Sequence, residues 1–147
     1  MESRGQALML VLDCSVTLAW LLPDETSPYA EAALLELKQS EAIVPPLWVE
    51  EVANTLLVSI RRGRISPTHV NDFVIQLNKL GIHVSDEKPE IAHLPILIEM
   101  GADYGLSVYD TSYLLLAIGE QAPLATLDKK LANVAKTLGI LWHPDQD

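Results

Sequence analysis

The sequence predicts an α/β fold, a central and mostly parallel β-sheet between two layers of helices. The first observation behind this prediction is that short apolar runs alternate with longer segments of helical periodicity. The second is that the short runs are mainly apolar, as expected of strands in a sheet that helices cover on both faces. The third is size. The chain has 147 residues, of which 49% are hydrophobic, so one domain over residues 1–147 can bury a core.

The first part of the chain gives two strands and two helices. Residues 7–12 form an apolar strand, and the apolar segment 16–22 starts a helix for which Ser15 can serve as N-cap. Alanine and leucine side chains recur on one face of residues 29–39, which predicts the second helix. A short strand at residues 42–44 follows and is stopped by two prolines.

The middle of the chain gives two more helices and a strand. Apolar residues line one face of residues 47–62, and Gly63 follows where a C-cap glycine belongs. Pro67 stands at the first position of a helix over residues 67–80, where proline is well tolerated. The third strand is predicted at residues 82–84.

Glycine and serine residues delimit the remaining elements. Gly101 and Gly105 are expected to end the fifth helix, and Ser107 is placed to cap the sixth. These last predictions are helices at residues 89–100, 107–118 and 128–138 and strands at residues 124–126 and 140–142.

Composition limits the classes of function. The net charge is −10, from 10 basic and 20 acidic residues, which argues against general electrostatic attraction to nucleic acid. A mean hydropathy of +0.20 suits a protein with a partner or a homo-oligomer. The single cysteine, Cys14, excludes an internal disulfide and a cysteine-rich zinc site and is expected to be a buried, inert thiol. No secretory signal or membrane span is recognisable, so we expect a soluble, cytoplasmic protein.

Acidic residues stand at the ends of four predicted segments. Acidic side chains beside core-forming segments are costly to place unless a positive group meets them. Ligands of open parallel sheets bind beyond the carboxyl ends of the strands, where the first and last of these acids fall. If all four converge, they form an oxygen-rich pocket for a hard divalent cation. The four residues are Asp13, Glu51, Asp110 and Asp128.

Each acid also has a purely structural explanation. Asp13 can turn the chain and cap the next helix, and Glu50 and Glu51 can simply complement the helix dipole. Helix geometry places Glu50 on a solvated face and Glu51 on a mixed face where a carboxylate needs a partner. Ser107 and Asp110 resemble a capping box, although Asp reaches back less well than Glu. The cation hypothesis therefore rests on the four acids together.

Motif absences remove several enzyme classes. The sequence has no phosphate loop, no dinucleotide fingerprint, no nucleophile elbow and no histidine pair with metal-ligand spacing. A phosphohydrolase with an aspartyl nucleophile would need a second aspartate two residues after Asp13, where Ser15 stands instead. A protein that only binds RNA or a basic partner, without cutting, stays as the alternative to a metal-dependent enzyme.

At these residues the chain resembles the PIN-domain family, and specifically the VapC-type toxin ribonucleases. Glu51 stands directly before Val-Ala-Asn, as the family's glutamate does, which favours it over Glu50. The segments that carry the likeness occur in the family's order and together span most of the chain. They are residues 10–15, 44–54, 106–110 and 124–131.

The resemblance implies a three-layer α/β/α PIN-like domain and Mg²⁺- or Mn²⁺-dependent cleavage of RNA. Asp13, Glu51, Asp110 and Asp128 match the family's acidic positions and are the implied catalytic residues and metal ligands. Thr126 matches the hydroxyl residue before the last acid, and Ser15 matches the small polar residue after the first.

The resemblance also implies partners. These are an RNA substrate, a cognate antitoxin of a type II toxin–antitoxin pair, and a second copy of the chain in a homodimer. The basic residues are candidate RNA contacts, although two arginines in the last turn of a helix also suit the helix dipole. The candidates are Arg61, Arg62, Arg64, Lys129 and Lys130.

Overall fold

A computed structural model describes residues 8–144 and has a four-stranded parallel sheet of order β3-β2-β1-β4. The strands are β1 (Leu8–Leu12), β2 (Ser40–Val44), β3 (Ile82–Val84) and β4 (Leu124–Ala125). The helices are α1 (Cys14–Leu21), α2 (Pro28–Glu36), α3 (Leu47–Arg61), α4 (Thr68–Asn78), α5 (Leu94–Tyr104), α6 (Val108–Glu120) and α7 (Lys129–Thr137). A short 3₁₀ turn, Ile91–His93, precedes α5. The predicted three-layer α/β/α fold with a mostly parallel sheet is confirmed.

The register of the sheet sets two strand ends side by side. β1 lies between β2 and β4, with Val11 paired to Leu124 and Leu12 paired to Ala125. The N–H of Asp13 donates to the carbonyl of Ala125 at 3.0 Å and extends the ladder by one residue. Side chains that follow β1 and β4 therefore meet at one edge of the sheet.

Helices bury β1 and β4. The side chains of Val11, Leu12 and Leu124 are inaccessible to solvent. α1 packs against α2 and α3, while α6 packs against α5 and contacts both β1 and β4. The tyrosine and leucine at the centre of α6, Tyr113 and Leu114, are likewise inaccessible. The core thus fixes α1, α3 and α6 around the carboxyl ends of β1 and β4.

Gly101 does not end a helix, so that prediction is wrong. α5 runs through Gly101 to Tyr104 and ends at Gly105, which has the left-handed φ of +67° that suits glycine. A Cβ atom at position 101 would lie 3.1 Å from the carbonyl oxygen of Leu106. The glycine at this position is required by the close approach of the chain that enters α6.

The strand predicted at residues 140–142 is reduced to a single bridge between Leu124 and Leu141. The N–H of Leu124 donates to the carbonyl of Ile140, and the carbonyl of Leu124 accepts from the N–H of Trp142. The pairing consists of these two hydrogen bonds. Pro144 has no N–H with which to continue it. The fifth helix, predicted at residues 89–100, is found at Leu94–Tyr104. The remaining predicted elements are confirmed with ends that differ by at most three residues, and Ala7 lies outside the described residues.

Within the described part of the chain, no helix combines the length and the apolar character that crossing a membrane requires.

Candidate functional site

Asp13 is a buried carboxylate with one oxygen occupied by two hydroxyl groups. It follows β1, and its side chain is only 4% exposed. Ser15 Oγ donates to Asp13 Oδ2 at 2.8 Å, and Thr126 Oγ1 donates to the same oxygen at 2.7 Å. Burial raises the pKa of Asp13, and these two hydrogen bonds lower it less than burial raises it. No side chain of residues 8–144 hydrogen-bonds Oδ1, and a backbone hydrogen bond from Cys14 also lowers the pKa of this carboxyl.

The same two hydroxyl groups join the ends of β1 and β4. Ser15 Oγ accepts the N–H of Leu127, and Thr126 Oγ1 accepts the N–H of Asp128, both at 3.0 Å. Ser15 therefore supports Asp13, as predicted, but it does not cap a helix. α1 already begins at Cys14 with Asp13 at the N-cap position, because the helix starts as soon as the strand ends.

Glu51 is held by a residue that the sequence analysis missed. The Tyr113 hydroxyl donates to Glu51 Oε1 at 2.6 Å, between the second turn of α3 and the middle of α6. Burial raises the pKa of Tyr113, so the hydroxyl keeps its proton and acts as the donor. Glu50 is exposed, as helix geometry indicated. The available signal for Tyr113 was a tyrosine in an apolar helix, since a buried hydroxyl needs a partner.

Cys14 lies between the two carboxylates. Asp13, Cys14 and Glu51 each offer one potential metal-ligand atom, and these three atoms lie within 4.8 Å of one another. Burial raises the pKa of the Cys14 thiol, and the negative charges of Asp13 and Glu51 raise it further. Cys14 is thus a protonated, partly buried thiol, so the strong metal ligands in this cluster are the carboxylate oxygens.

Asp110 and Asp128 complete the acidic group. Burial raises the pKa of Asp110 to about 6, and the charges of Asp128, Asp13 and Glu51 add to the effect. The charges of the four carboxylates therefore act on one another, although among the described residues the potential ligand atoms that lie within 4.8 Å of one another are those of Asp13, Cys14 and Glu51. We call the four side chains the acidic pocket.

Two of these acids also stand at helix starts. The N–H of Asp110 donates to Ser107 Oγ at 3.0 Å, which is one half of the capping box. Asp128 Oδ1 accepts the N–H of Leu131 at 2.9 Å and caps the exposed first turn of α7. The structural explanations therefore account for the position of these residues, and they leave the negative charge of the pocket unexplained.

Within residues 8–144, no ion pair neutralises the acidic pocket. Among residues 8–144, ion pairs join Arg64 to Asp24 and Glu25 and His83 to Glu41, and none involves an acid of the pocket. A hard divalent cation is the species whose preferred ligands are carboxylate oxygens. The carboxylate oxygens of the pocket fit such an ion.

Comparison with known proteins identifies the family. The PIN domain profile matches residues 10–137. The chain belongs to the PIN-domain family.

The family prediction is therefore confirmed. Ribonuclease VapC3 of Pyrobaculum aerophilum is 30% identical over 130 residues, which cover 86% of this chain and 94% of that relative. The crystal structure of PAE2754 from Pyrobaculum aerophilum aligns with a TM-score of 0.65 at 20% identity and covers 92% of this chain and 90% of that chain. This structural similarity shows that the two share the PIN fold.

The predicted basic contacts lie at two places on this PIN domain. Lys129 and Lys130 are exposed in the first turn of α7, directly after Asp128. Arg61 and Arg62 are exposed at the end of α3, ten residues after Glu51 and so about 15 Å along the helix.

Arg64 has acidic partners already. Its guanidinium lies 2.6 Å from Asp24 Oδ1 and 3.2 Å from Glu25 Oε2. Of the predicted basic residues, the structure thus places only the two lysines beside an acid of the pocket along the chain.

Proposed function

We propose that this chain is a divalent-cation-dependent endoribonuclease and the toxin of a type II toxin–antitoxin pair. The observation that carries the proposal is the acidic pocket, in which four carboxylates near the carboxyl ends of β1 and β4 of a PIN domain have no ion-pair partner among residues 8–144. The similarity to a relative named ribonuclease VapC3 supports RNA as the substrate. Cleavage of RNA by the purified protein, with and without a chelator, tests it.

The acidic pocket would hold Mg²⁺ or Mn²⁺ through Asp13, Glu51, Asp110 and Asp128. A bound cation of this kind lowers the pKa of water and offsets charge on the phosphodiester. Hydrogen bonds within the protein hold two of these carboxylates in fixed orientations. Ser15 and Thr126 fix the orientation of Asp13 by donating to Oδ2, and Tyr113 fixes that of Glu51 by donating to Oε1. Fixed ligands of this sort reduce the reorganisation needed when charge develops at the phosphate.

We expect RNA products with 5′-phosphate and 3′-hydroxyl ends. Attack by the ribose 2′-hydroxyl needs a general base and a general acid, most often histidine. The polar side chains that the structure brings together are carboxylates, hydroxyls and a thiol, which suit in-line attack by water with departure of the 3′-oxygen. Mass spectrometry of the products of a short RNA measures the ends. Products with a 2′,3′-cyclic phosphate would contradict this route.

Lys129 and Lys130 are proposed to guide the RNA backbone to Asp128. Replacing both by Ala should reduce the slope of log affinity against log salt concentration by about 2, since each phosphate contact contributes about 1. Lys136→Ala is the matched control, because Lys136 is exposed on the same helix in its last turn. Filter binding on a catalytically inactive background measures both variants. Equal slopes for all three proteins would remove these lysines from the interface.

Partners are proposed from surface chemistry and family. Several large apolar side chains are exposed on α4 and near α5, which suits a homodimer. They are Val74, Ile75, Ile91, Leu94 and Ile98, exposed by 41% or more. The acidic pocket would attract an antitoxin segment rich in Arg or Lys. A monomeric mass by light scattering would contradict the homodimer.

A further inference from the structure

The two best-buried carboxylates of the acidic pocket share a pattern. Each has one oxygen that accepts from neutral hydroxyl groups and one that does not. For Asp13 the occupied atom is Oδ2, and for Glu51 it is Oε1. Apart from the Cys14 thiol, a weak donor, no further side chain of residues 8–144 is within hydrogen-bonding distance of the Glu51 carboxylate. Each residue thus has one oxygen that accepts from no hydroxyl group of residues 8–144.

We propose that Tyr113 makes the pocket select Mg²⁺ over Ca²⁺ by competing with a cation for Glu51 Oε1, which disfavours ligation by both oxygens of Glu51. This inference rests on the proposed function, because it assumes that the pocket holds a cation. Ca²⁺ takes six to eight oxygen ligands and commonly uses both oxygens of a carboxylate, whereas Mg²⁺ takes six at shorter distances and keeps several waters. A glutamate with one oxygen occupied is therefore a poorer ligand for Ca²⁺ than for Mg²⁺.

The packing of Tyr113 makes this restriction firm. Its ring is inaccessible to solvent in the middle of α6, so the hydroxyl cannot move aside without disturbing the close-packed core. The O–H···O distance of 2.6 Å to Oε1 is that of a short hydrogen bond to a charged acceptor. A carboxylate oxygen has two lone pairs, so a cation on Oε1 would share that oxygen with the Tyr113 hydroxyl, which disfavours ligation by both oxygens of Glu51. Tyr113 is thus a positioning residue that acts through Glu51.

The test is the affinity of the full chain for Mg²⁺ and for Ca²⁺, measured by isothermal titration calorimetry. In Tyr113→Phe we expect the ratio of Mg²⁺ affinity to Ca²⁺ affinity to fall by roughly 10- to 100-fold, the range seen when a residue that orients a metal ligand is removed. Affinities that both fall equally, or that do not change, would overturn the proposal. Tyr29→Phe is the matched control, because its hydroxyl also makes a partly buried hydrogen bond, to the Trp142 carbonyl at 2.8 Å.

A double-mutant cycle separates positioning from simple support of the fold. In a Glu51→Gln background, adding Tyr113→Phe should leave the ratio of affinities unchanged, because Glu51 no longer supplies a carboxylate. A ratio that still falls would show that Tyr113 acts through another group, and the proposal would be wrong.

A measurement on the unaltered chain covers the case in which Tyr113→Phe does not fold. In a crystal soaked with Mn²⁺, we expect one oxygen of Glu51 at the ion and the Tyr113 bond intact. Bidentate ligation by Glu51 would overturn the proposal. If the unaltered chain binds no divalent cation, the proposed function fails with it. If it binds cations and the ratio is insensitive to Tyr113, the proposed function stands and this inference alone fails.

Discussion

Asp13→Asn is expected to lower RNA cleavage by at least about 100-fold, because losing even a group that supports a metal ligand costs up to that much. Asn has nearly the same shape as Asp, so the fold is expected to persist. The hydroxyls of Ser15 and Thr126 both donate to Oδ2, and this position requires an acceptor. The amide oxygen of Asn will therefore occupy it and turn the NH₂ group toward the pocket. An NH₂ group there repels a cation.

Glu50→Gln is the matched control for this variant. It removes one negative charge from the residue next to Glu51, on an exposed side chain that makes no contact with the pocket. We expect full activity from Glu50→Gln and loss of activity from Asp13→Asn in the same assay. Circular dichroism and thermal unfolding check that both variants fold. An active Asp13→Asn protein would remove Asp13 from the site.

The cation-free protein is expected to lose stability as the pH rises from about 4 to about 7. The folded-state pKa values of Asp13, Glu51 and Asp110 are all raised, chiefly by burial, and that of Asp110 reaches about 6. A carboxyl with a raised pKa binds its proton more tightly in the folded state. The stability it contributes is fully present below the unfolded pKa and is lost as the pH rises through the folded pKa.

A bound cation should reverse this loss. At a free Mg²⁺ concentration about 100 times its dissociation constant, the free energy of unfolding rises by about 2.7 kcal/mol. For a domain of this size that raises the melting temperature by about 5–10 °C. Differential scanning fluorimetry in EDTA and in Mg²⁺, at several pH values from about 4.5 to about 7.5, measures both effects.

Asp110→Asn supplies the control for the pH effect. It removes one titrating carboxylate, so its melting temperature in EDTA should depend less on pH than that of the unaltered chain. The carboxyl of Asp24 has the opposite shift, because Arg64 lowers its pKa, and its contribution is lost only at lower pH. If the melting temperature measured without a cation rises between about pH 5 and pH 7, the prediction that ionisation of the pocket carboxyls destabilises the fold is wrong.

The sequence singles out the four acids because each stands at a recognisable segment end. Asp13 follows an apolar strand, and Asp128 follows the strand that the register places beside it. Parallel topology then requires their ends to meet. Thr126 and Ser15 are predicted as supporting residues by resemblance, and in the structure both hydroxyls donate to Asp13 Oδ2.

The contacts that the sequence could not reveal join distant segments. The bond between Tyr113 and Glu51 spans 62 residues and depends on how α3 and α6 are oriented across the sheet. Helical periodicity places both residues near the core, but it does not say which side chains meet. Gly101 was misread for the same reason, because the carbonyl of Leu106 that excludes a Cβ belongs to the next connection. Local patterns give the segments, whereas such contacts need the packed fold.

Cleavage of a mixed pool of structured and single-stranded RNA by the purified chain tests most directly whether the acidic pocket is the cation site of a nuclease. The reactions contain Mg²⁺, Mn²⁺ or EDTA, and Asp13→Asn and Glu50→Gln are run beside the unaltered protein. We predict cutting with either cation, none in EDTA, none by Asp13→Asn, and full cutting by Glu50→Gln. RNA cleavage that persists in EDTA, or that survives Asp13→Asn, would contradict the claim that the acidic pocket is the cation site of a nuclease.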